Sequence, residues 1–288
     1  MSSLTTIPTE LLRGCTSLTS VNFPNVKSVG SWSIRECPNL TSISLPSATS
    51  IGRLAFYKCT ALTSVDLPNV TSTDEGAFNG CTGLTSVDLP SVTSIGNESF
   101  YGCTQLKNIT LGKGLTSIGS RAISASTENV YYTGTLSEWL HITANSSIST
   151  STIGNLYIDG TLMTTITTPD DVTSIGAQLG CFGSIVEVII GDNVQTIGNY
   201  SFDNCKELAS LTIGRGVTSI GSNCLYRWGG SATLATVTML STTPPTITTN
   251  TFRVATLTKI IVPAGCGDAY KSATNWSALA SIIEEATE

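Results

Sequence analysis

Short groups of apolar residues recur along the first half of the chain, and successive groups are 22 residues apart. The recurring block reads C-x-x-L-T-S-V-x-L-P-x-V-T-S-I-G-x-x-A-F-x-x. V-x-L has the period-2 alternation of a β-strand, with both apolar side chains on one side. Proline ends this strand because it lacks the N–H that a ladder needs, and glycine permits a turn after the second apolar pair, V-T-S-I. The pattern therefore predicts two short strands in every block.

The cysteines follow the same spacing. Cys15, Cys37, Cys59, Cys81 and Cys103 are separated by 22 residues each time, whereas zinc ligands come in close pairs. The total of nine is odd, and no C-x-x-C occurs. A constant long spacing indicates one structural position that every repeat revisits. We expect these thiols to be buried and unpaired, because free cysteine behaves as a small hydrophobic residue.

One block cannot fold alone. Its six large apolar groups contribute about 9–18 kcal/mol when buried, while ordering 22 residues costs about 33 kcal/mol. Stacked blocks bury each other's faces and share hydrogen bonds between their strands. The sequence thus predicts a mainly-β repeat solenoid, a single domain of about eleven rungs of 22–23 residues. Residues 1–128 form its regular part and residues 161–262 its irregular part.

Two segments depart from the repeat. In the insertion at residues 129–160, Thr135-Leu-Ser-Glu138 has the capping-box pattern of a helix start, so we predict a short helix that carries Trp139. This insertion is interpreted either as a recognition element or as a cover for imperfect rungs. In the C-terminal segment, residues 263–288, we predict a helical cap in which Asp268 starts one helix and a second helix spans 277–285. Such a cap would shield the last strand edge.

The blocks resemble the BspA-like leucine-rich repeat family of bacterial surface proteins. Three further segments resemble it too: Val130-Tyr-Tyr-Thr-Gly134 through Gly160, Thr243-Pro244-Pro245, and Val262-Pro263 through Trp276. The resemblance implies a right-handed leucine-rich-repeat stack, usually secreted or on the cell surface, with a role in adhesion or host-protein binding. The opening residues MSSLTTIPTE have neither a basic nor an apolar region, so we predict no signal peptide in this chain.

Composition excludes several classes of function. Charged residues make up 12% of the 288, with a net charge of −6, which argues against a nucleic-acid partner. No apolar run approaches the ~18 residues of a membrane span, so we predict no membrane insertion. His141 is the only histidine, which leaves no partner for a histidine-based triad or metal pair. We therefore predict neither catalytic residues nor a metal or cofactor.

Candidate binding residues lie at the central position of V-x-L, which points away from the core. This column contains Asn22, Ser44, Asp66, Asp88 and Thr110. It is interpreted either as the face that binds a protein or glycan ligand, or as an ordinary solvated polar surface. Two carboxylates supply too few of the six to eight oxygens that calcium requires. Trp139, in the insertion, is the sixth candidate.

These features predict a non-enzymatic protein-interaction or adhesion scaffold that binds a protein or glycan through the strand face or the insertion. The alternative is a passive structural spacer or fibre element of a larger surface or phage-tail-like assembly. The start of the chain favours this alternative, because Leu4 to Leu11 correspond to the second half of a repeat.

Overall fold

The computed structural model describes residues 4–144, 146–226, 233–254 and 256–287. They form a mainly-β solenoid of about 12 turns, which confirms the predicted fold class and adds one turn to the expected eleven. The chain divides into two compact units: Met1–Thr135 with Ile148–Thr161, and Leu136–Ser147 with Leu162–Glu288. Asn145, within the predicted insertion, and residues 227–232, within the irregular repeats, lie outside the described residues.

The first unit has two rows of short strands, one for each apolar pair of the repeat. The V-x-L strands are β2 (Ser20–Asn22), β4 (Ser42–Ser44), β6 (Ser64–Asp66), β8 (Ser86–Leu89), β10 (Asn108–Leu111), β12 (Asn129–Tyr132) and β13 (Asn155–Ile158). The first three form one sheet, and the other four form a second sheet that ends with β14 (Thr161–Leu162). The other row is one six-stranded sheet of β1 (Thr6–Ile7), β3 (Ser28–Val29), β5 (Ser50–Ile51), β7 (Ser72–Thr73), β9 (Ser94–Ile95) and β11 (Ser117–Ile118).

The second unit repeats this arrangement with longer strands in one row. Its six-stranded sheet consists of β15 (Thr165–Thr167), β17 (Glu187–Ile190), β19 (Ser210–Ile213), β21 (Thr236–Met239), β22 (Lys259–Val262) and β23 (Ile283–Glu285). Its three-stranded sheet consists of β16 (Ser174–Ile175), β18 (Thr196–Ile197) and β20 (Ser219–Ile220). Strands of successive rungs pair in parallel, as when Val188 lies opposite Leu211.

Alternation along each strand separates the core from the solvent. In β8, Ser86 and Asp88 are exposed, while Val87 and Leu89 are buried at 3% and 0% exposure. Val65, at the position equivalent to Val87, is only half-buried. The inside and outside positions of the predicted register are confirmed, because side chains on a pleated strand point to opposite faces in turn.

Glycine is required where one rung turns closely over the previous one. A Cβ on Gly52, which follows the second strand, would lie 2.7 Å from the main-chain oxygen of Val29. The residue before the column cysteine forms a turn and has a positive φ, as Gly80 (+75°) and Gly102 (+73°) show. These turns let the chain reverse within a few residues and begin the next rung.

The cysteine column lies in the core. Cys37, Cys59, Cys81 and Cys103 are fully buried, and each thiol donates a hydrogen bond of 3.1 Å to a main-chain oxygen about one rung earlier. All nine cysteines are thiols, which agrees with a column that is not a disulfide framework, and of the nine only Cys15 and Cys266 are partly exposed. Burial raises the pKa of the Cys103 thiol to about 12.

Phenylalanines from the A-F positions stack beside the cysteines. The rings of Phe56 and Phe78 lie 5.1 Å apart, and those of Phe78 and Phe100 lie 5.4 Å apart, all nearly parallel. All three side chains are fully buried. One repeated core position therefore becomes a continuous ladder of rings that ties successive rungs together.

The segment predicted as an insertion contributes to both units. β12 and β13, which lie inside 129–160, continue the V-x-L sheet in register, since Ile109 pairs with Val130 and Val130 with Leu156. The predicted short helix is α1 (Leu136–Leu140), in the second unit. It packs near a 3₁₀ turn at Ala177–Leu179, where the side chain of Gln178 donates a hydrogen bond of 2.8 Å to the Leu140 main-chain oxygen.

The C-terminal segment differs from the predicted pair of helices. It has α2 (Gly267–Ser272) and a 3₁₀ helix (Ser277–Ile282), and then the chain forms β23, which extends the sheet beside β22. The expected helix over 277–285 is thus wrong at its end, because Ile283 is buried beside Ile260 in a parallel ladder. Asp268 lies in the first turn of α2 and does not cap it. Among the described residues, no helix has the length and apolar character needed to cross a membrane.

Candidate functional site

The outward side chains of the seven V-x-L strands of the first unit form one polar surface, called the strand face below. It has two columns of residues, one at the first and one at the third position of each strand. The first column is Ser20, Ser42, Ser64, Ser86, Asn108, Asn129 and Asn155. The third-position column is Asn22, Ser44, Asp66, Asp88, Thr110, Tyr131 and Tyr157. No lysine or arginine occupies any of these fourteen positions, so the two aspartates give the face a net negative charge.

The structure brings the five predicted strand residues onto this face, in two separate sheets. Asn22, Ser44 and Asp66 are successive partners in the sheet of β2, β4 and β6. The Ser44 hydroxyl donates a hydrogen bond of 2.9 Å to Asp66 Oδ2. Asp88 pairs with Thr110 in the neighbouring sheet. The two aspartates therefore belong to different ladders, rather than to one continuous sheet as the repeat pattern implied.

The third-position column continues beyond the residues that the sequence singled out. Thr110 pairs with Tyr131, and Tyr131 pairs with Tyr157. The two tyrosine rings are half-exposed and stack with their centroids 4.8 Å apart and their planes 23° from parallel. Stacked rings on consecutive rungs offer an apolar surface with a polar hydroxyl rim, a combination enriched at binding sites.

Asparagines stand beside these tyrosines in the first column. Asn129 Nδ2 donates a hydrogen bond of 2.9 Å to Asn108 Oδ1, and Asn155 Nδ2 donates one of 2.9 Å to Asn129 Oδ1. This asparagine ladder links β10, β12 and β13 on their exposed side. The repeat pattern does not predict these tyrosines and asparagines on the face, because residues 129–160 break the 22-residue period. The recurrence of N-x-Y at Asn129 to Tyr131 and Asn155 to Tyr157 is the sequence signal that reveals them.

Trp139, the sixth candidate, does not lie on the surface. Its side chain is fully buried, and its ring meets that of Phe182 edge-on at 6.0 Å. A buried indole cannot contact a ligand from solvent. The structure therefore favours the interpretation of this helix as a cover for imperfect rungs, since Phe182 occupies the core position that cysteine holds in the regular blocks.

A buried acidic group lies where the inserted segment meets the second unit's rungs. Asp203 is 4% exposed, and its Oδ2 accepts hydrogen bonds from Ser147 Oγ at 2.9 Å and from Asn204 Nδ2 at 3.2 Å. Its Oδ1 is buried and has no hydrogen-bond partner. Burial raises the pKa of Asp203 to about 6, although hydrogen bonds from Ser147 and Asn204 oppose that shift. Through Ser147, this carboxyl is hydrogen-bonded to the inserted segment.

The single histidine and the metal-ligating side chains form no further site among the described residues. His141 is exposed, and its Nδ1 lies 2.8 Å from the Ser137 main-chain oxygen. Across the part of the chain that the structure describes, no group of three or more histidine, cysteine or acidic side chains is arranged to hold a metal ion.

Comparison with known proteins identifies the repeat. The family model described as "BspA type Leucine rich repeat region (6 copies)" matches residues 1–91, 35–150, 71–182 and 179–285. A search of curated proteins finds no match.

Solved structures show similar chains. A leucine-rich repeat protein from Eubacterium ventriosum is 20% identical, with a TM-score of 0.52 over 86% of this chain and 73% of its own. A leucine rich cell surface protein from Faecalibacterium prausnitzii is 22% identical, with a TM-score of 0.38 over 99% of this chain and 84% of its own. The first of these likenesses supports the fold. Because the family model covers almost the whole sequence, the chain belongs to the BspA-type leucine-rich repeat family.

Proposed function

We propose that the chain is a non-enzymatic interaction scaffold that binds a protein or glycan ligand through the strand face and serves in adhesion. The observation that carries this proposal is the strand face itself. Seven strands, paired in parallel within two sheets, hold fourteen outward side chains at a regular spacing. The buried core residues of the same strands fix the backbone positions of these side chains. Preorganised side chains lose little conformational entropy on binding, so a rigid strand surface is suited to recognition.

The composition of the strand face also supports binding. Its residues are serine, asparagine, threonine, tyrosine and aspartate, and tyrosine, serine and asparagine are the types enriched in antibody paratopes. Such a surface combines adaptable hydrogen bonding with rigid aromatic contacts. Family membership supports the same conclusion, because repeat proteins of this kind present extended binding surfaces.

We also propose that the chain acts outside the cell or on its surface. The similar protein from Faecalibacterium prausnitzii is a cell surface protein, and the family resemblance favours the same location. The burial of Cys37, Cys59, Cys81 and Cys103 fits this location, since thiols without solvent access resist oxidation.

A matched pair of serine variants tests the scaffold proposal. Ser86 lies on the strand face, and Ser94, in the same repeat, faces outward from the other row of strands. The probes are a phage library of random 12-residue peptides and an array of surface glycans. Binders of the native chain should be lost with Ser86→Arg and kept with Ser94→Arg, because only the first substitution fills the strand face. Binding that survives Ser86→Arg and fails with Ser94→Arg places the ligand elsewhere and refutes the proposal.

A further inference from the structure

We propose that Asp88, Thr110 and Tyr131 form a notch that receives an arginine side chain from a basic segment of a protein partner. The inference rests on the proposed function and names its partner class. The three residues are consecutive in the third-position column, since Asp88 pairs with Thr110 and Thr110 with Tyr131. Neighbouring strands are about 4.8 Å apart, so the carboxylate and the ring stand about 10 Å apart at their backbones.

The notch arises from the sizes of the three side chains. Thr110 is short, while the carboxylate of Asp88 and the ring of Tyr131 stand on either side of it. One face of the Tyr131 ring is covered by Tyr157, which stacks on it at 4.8 Å. The opposite face is therefore turned toward Thr110 and Asp88. A planar cation inserted above Thr110 would meet this ring face on one side and the carboxylate on the other.

Arginine fits this arrangement better than lysine does. Its guanidinium group is planar, stacks on aromatic rings and pairs with a carboxylate through two parallel hydrogen bonds. A lysine ammonium is a strongly hydrated point charge that cannot make the stacked contact. A neutral sugar could stack on the tyrosine but would gain nothing from the charge of Asp88.

The chain itself uses arginine in this way elsewhere. Arginine guanidinium groups lie over the rings of Trp32, Tyr57 and Tyr101 at 5.9, 5.3 and 5.9 Å. Among the described residues, no cation of the chain lies over Tyr131 or Tyr157. The strand face also has no basic residue of its own, so the complementary charge must come from a partner.

The asparagine ladder supports the tyrosine side of the notch. The bond between Asn129 and Asn108 links the strands that carry Tyr131 and Thr110, and the bond between Asn155 and Asn129 links the two tyrosine strands. Because these contacts fix the spacing of the strands that carry Thr110, Tyr131 and Tyr157 before binding, the partner does not have to order these strands.

The test starts from the peptides that the native chain selects from the random 12-residue phage library. We expect the selected peptides to be enriched in arginine. For a selected peptide, replacing its arginine by alanine or lysine should weaken binding at least tenfold, measured by fluorescence polarisation. Tyr131→Ser and Asp88→Asn should each weaken peptide binding at least fivefold. Asp88→Asn should also make the affinity for the peptide less dependent on salt concentration. Tyr131→Phe should retain binding, and Tyr101→Ser, away from the strand face, serves as the control.

The outcomes separate this inference from the proposed function. Peptides without arginine, or binding unchanged by Tyr131→Ser and Asp88→Asn, overturn the arginine notch. If such binding is still lost with Ser86→Arg, the strand face remains the binding surface. A third outcome is that no peptide is selected, while glycans bind the native chain and do not bind Ser86→Arg. This result also overturns the arginine notch, but the strand face remains the binding surface. If neither library yields a binder, both proposals fail.

Discussion

The Cys103 thiol donates a hydrogen bond of 3.1 Å to the main-chain oxygen of Phe78, 25 residues earlier in the chain. The same bond recurs at the preceding column cysteines, so each thiol joins its own rung to the one before. The cysteine column is thus a stabilising element of the core, in which both the volume and the weak donor of the side chain are used.

Removing one column thiol should weaken the solenoid measurably. Cys81→Ala deletes a buried sulfur atom and leaves the Phe56 main-chain oxygen without this donor. We expect the free energy of unfolding to fall by about 1–2 kcal/mol, measured by urea denaturation. Cys266→Ala, at a partly exposed position, is the control and should change it by less than about 0.5 kcal/mol.

Thiol reactivity follows from the same burial. In the native chain, an aromatic disulfide reagent should modify only Cys15 and Cys266, which are partly exposed. After denaturation without a reductant, all nine thiols should react. Fewer than nine reactive thiols after denaturation would show that disulfides exist.

The strand register is tested by neighbouring residues with opposite orientations. Val87→Asp places a carboxylate in the core, where the residue is only 3% exposed, and should cost several kcal/mol of unfolding free energy. Ser86→Asp, on the exposed side of the same strand, should be nearly neutral. The melting temperatures of the two variants test this register. An equal fall in melting temperature for Val87→Asp and Ser86→Asp would mean that the orientation of β8 is wrong.

The asparagine ladder should contribute through coupled hydrogen bonds. Asn129→Ala removes a donor to Asn108 and an acceptor for Asn155, and we expect a loss of about 1–2 kcal/mol. Alanine at both Asn129 and Asn155 should cost less than the sum of the two single changes, because the same bond is lost in each. Strictly additive losses in this double-mutant cycle would show that the two asparagines are not coupled.

Asp203 should make stability depend on pH in a defined direction. Its folded-state pKa is raised to about 6 from an ordinary value of 3.8, so folding favours the protonated carboxyl. The stabilising contribution is fully present below about pH 4 and is lost as the pH rises to about 6. Asp203→Asn should raise stability at pH 7 by about 2–3 kcal/mol and have little effect at pH 4, as urea denaturation at the two pH values would measure.

Asp192 provides a control, because its contribution to stability should change with pH in the opposite direction to that of Asp203. The backbone N–H and then the side chain of Arg215 hydrogen-bond to this carboxylate and lower its pKa. Its contribution is therefore present above the unfolded-state pKa and is lost as the pH falls. Asp192→Asn should reduce stability at pH 7, and a gain there would contradict the assignment.

The regular blocks could be understood from the sequence because every rung repeats the same local and core requirements. Val87 and Asp88 already show the alternation that the structure confirms. The tyrosine stack was not predicted, because Tyr131 and Tyr157 are 26 residues apart and the segment between them breaks the period. The burial of Trp139 depends on Phe182, a contact between distant parts of the chain that no local pattern records. The strand at the end of the chain was missed for a similar reason, since Ile283 pairs with a strand more than 20 residues earlier.

The most direct test of the binding account compares tyrosines within one molecule. Hydroxyl-radical labelling, with and without a peptide selected by the native chain, reports the solvent exposure of each tyrosine side chain by mass spectrometry. On binding, labelling of Tyr131 and Tyr157 should fall, while Tyr57 and Tyr101, which lie off the strand face, should be labelled as before. Protection of Tyr57 or Tyr101, with Tyr131 and Tyr157 unchanged, would contradict a ligand site on the strand face.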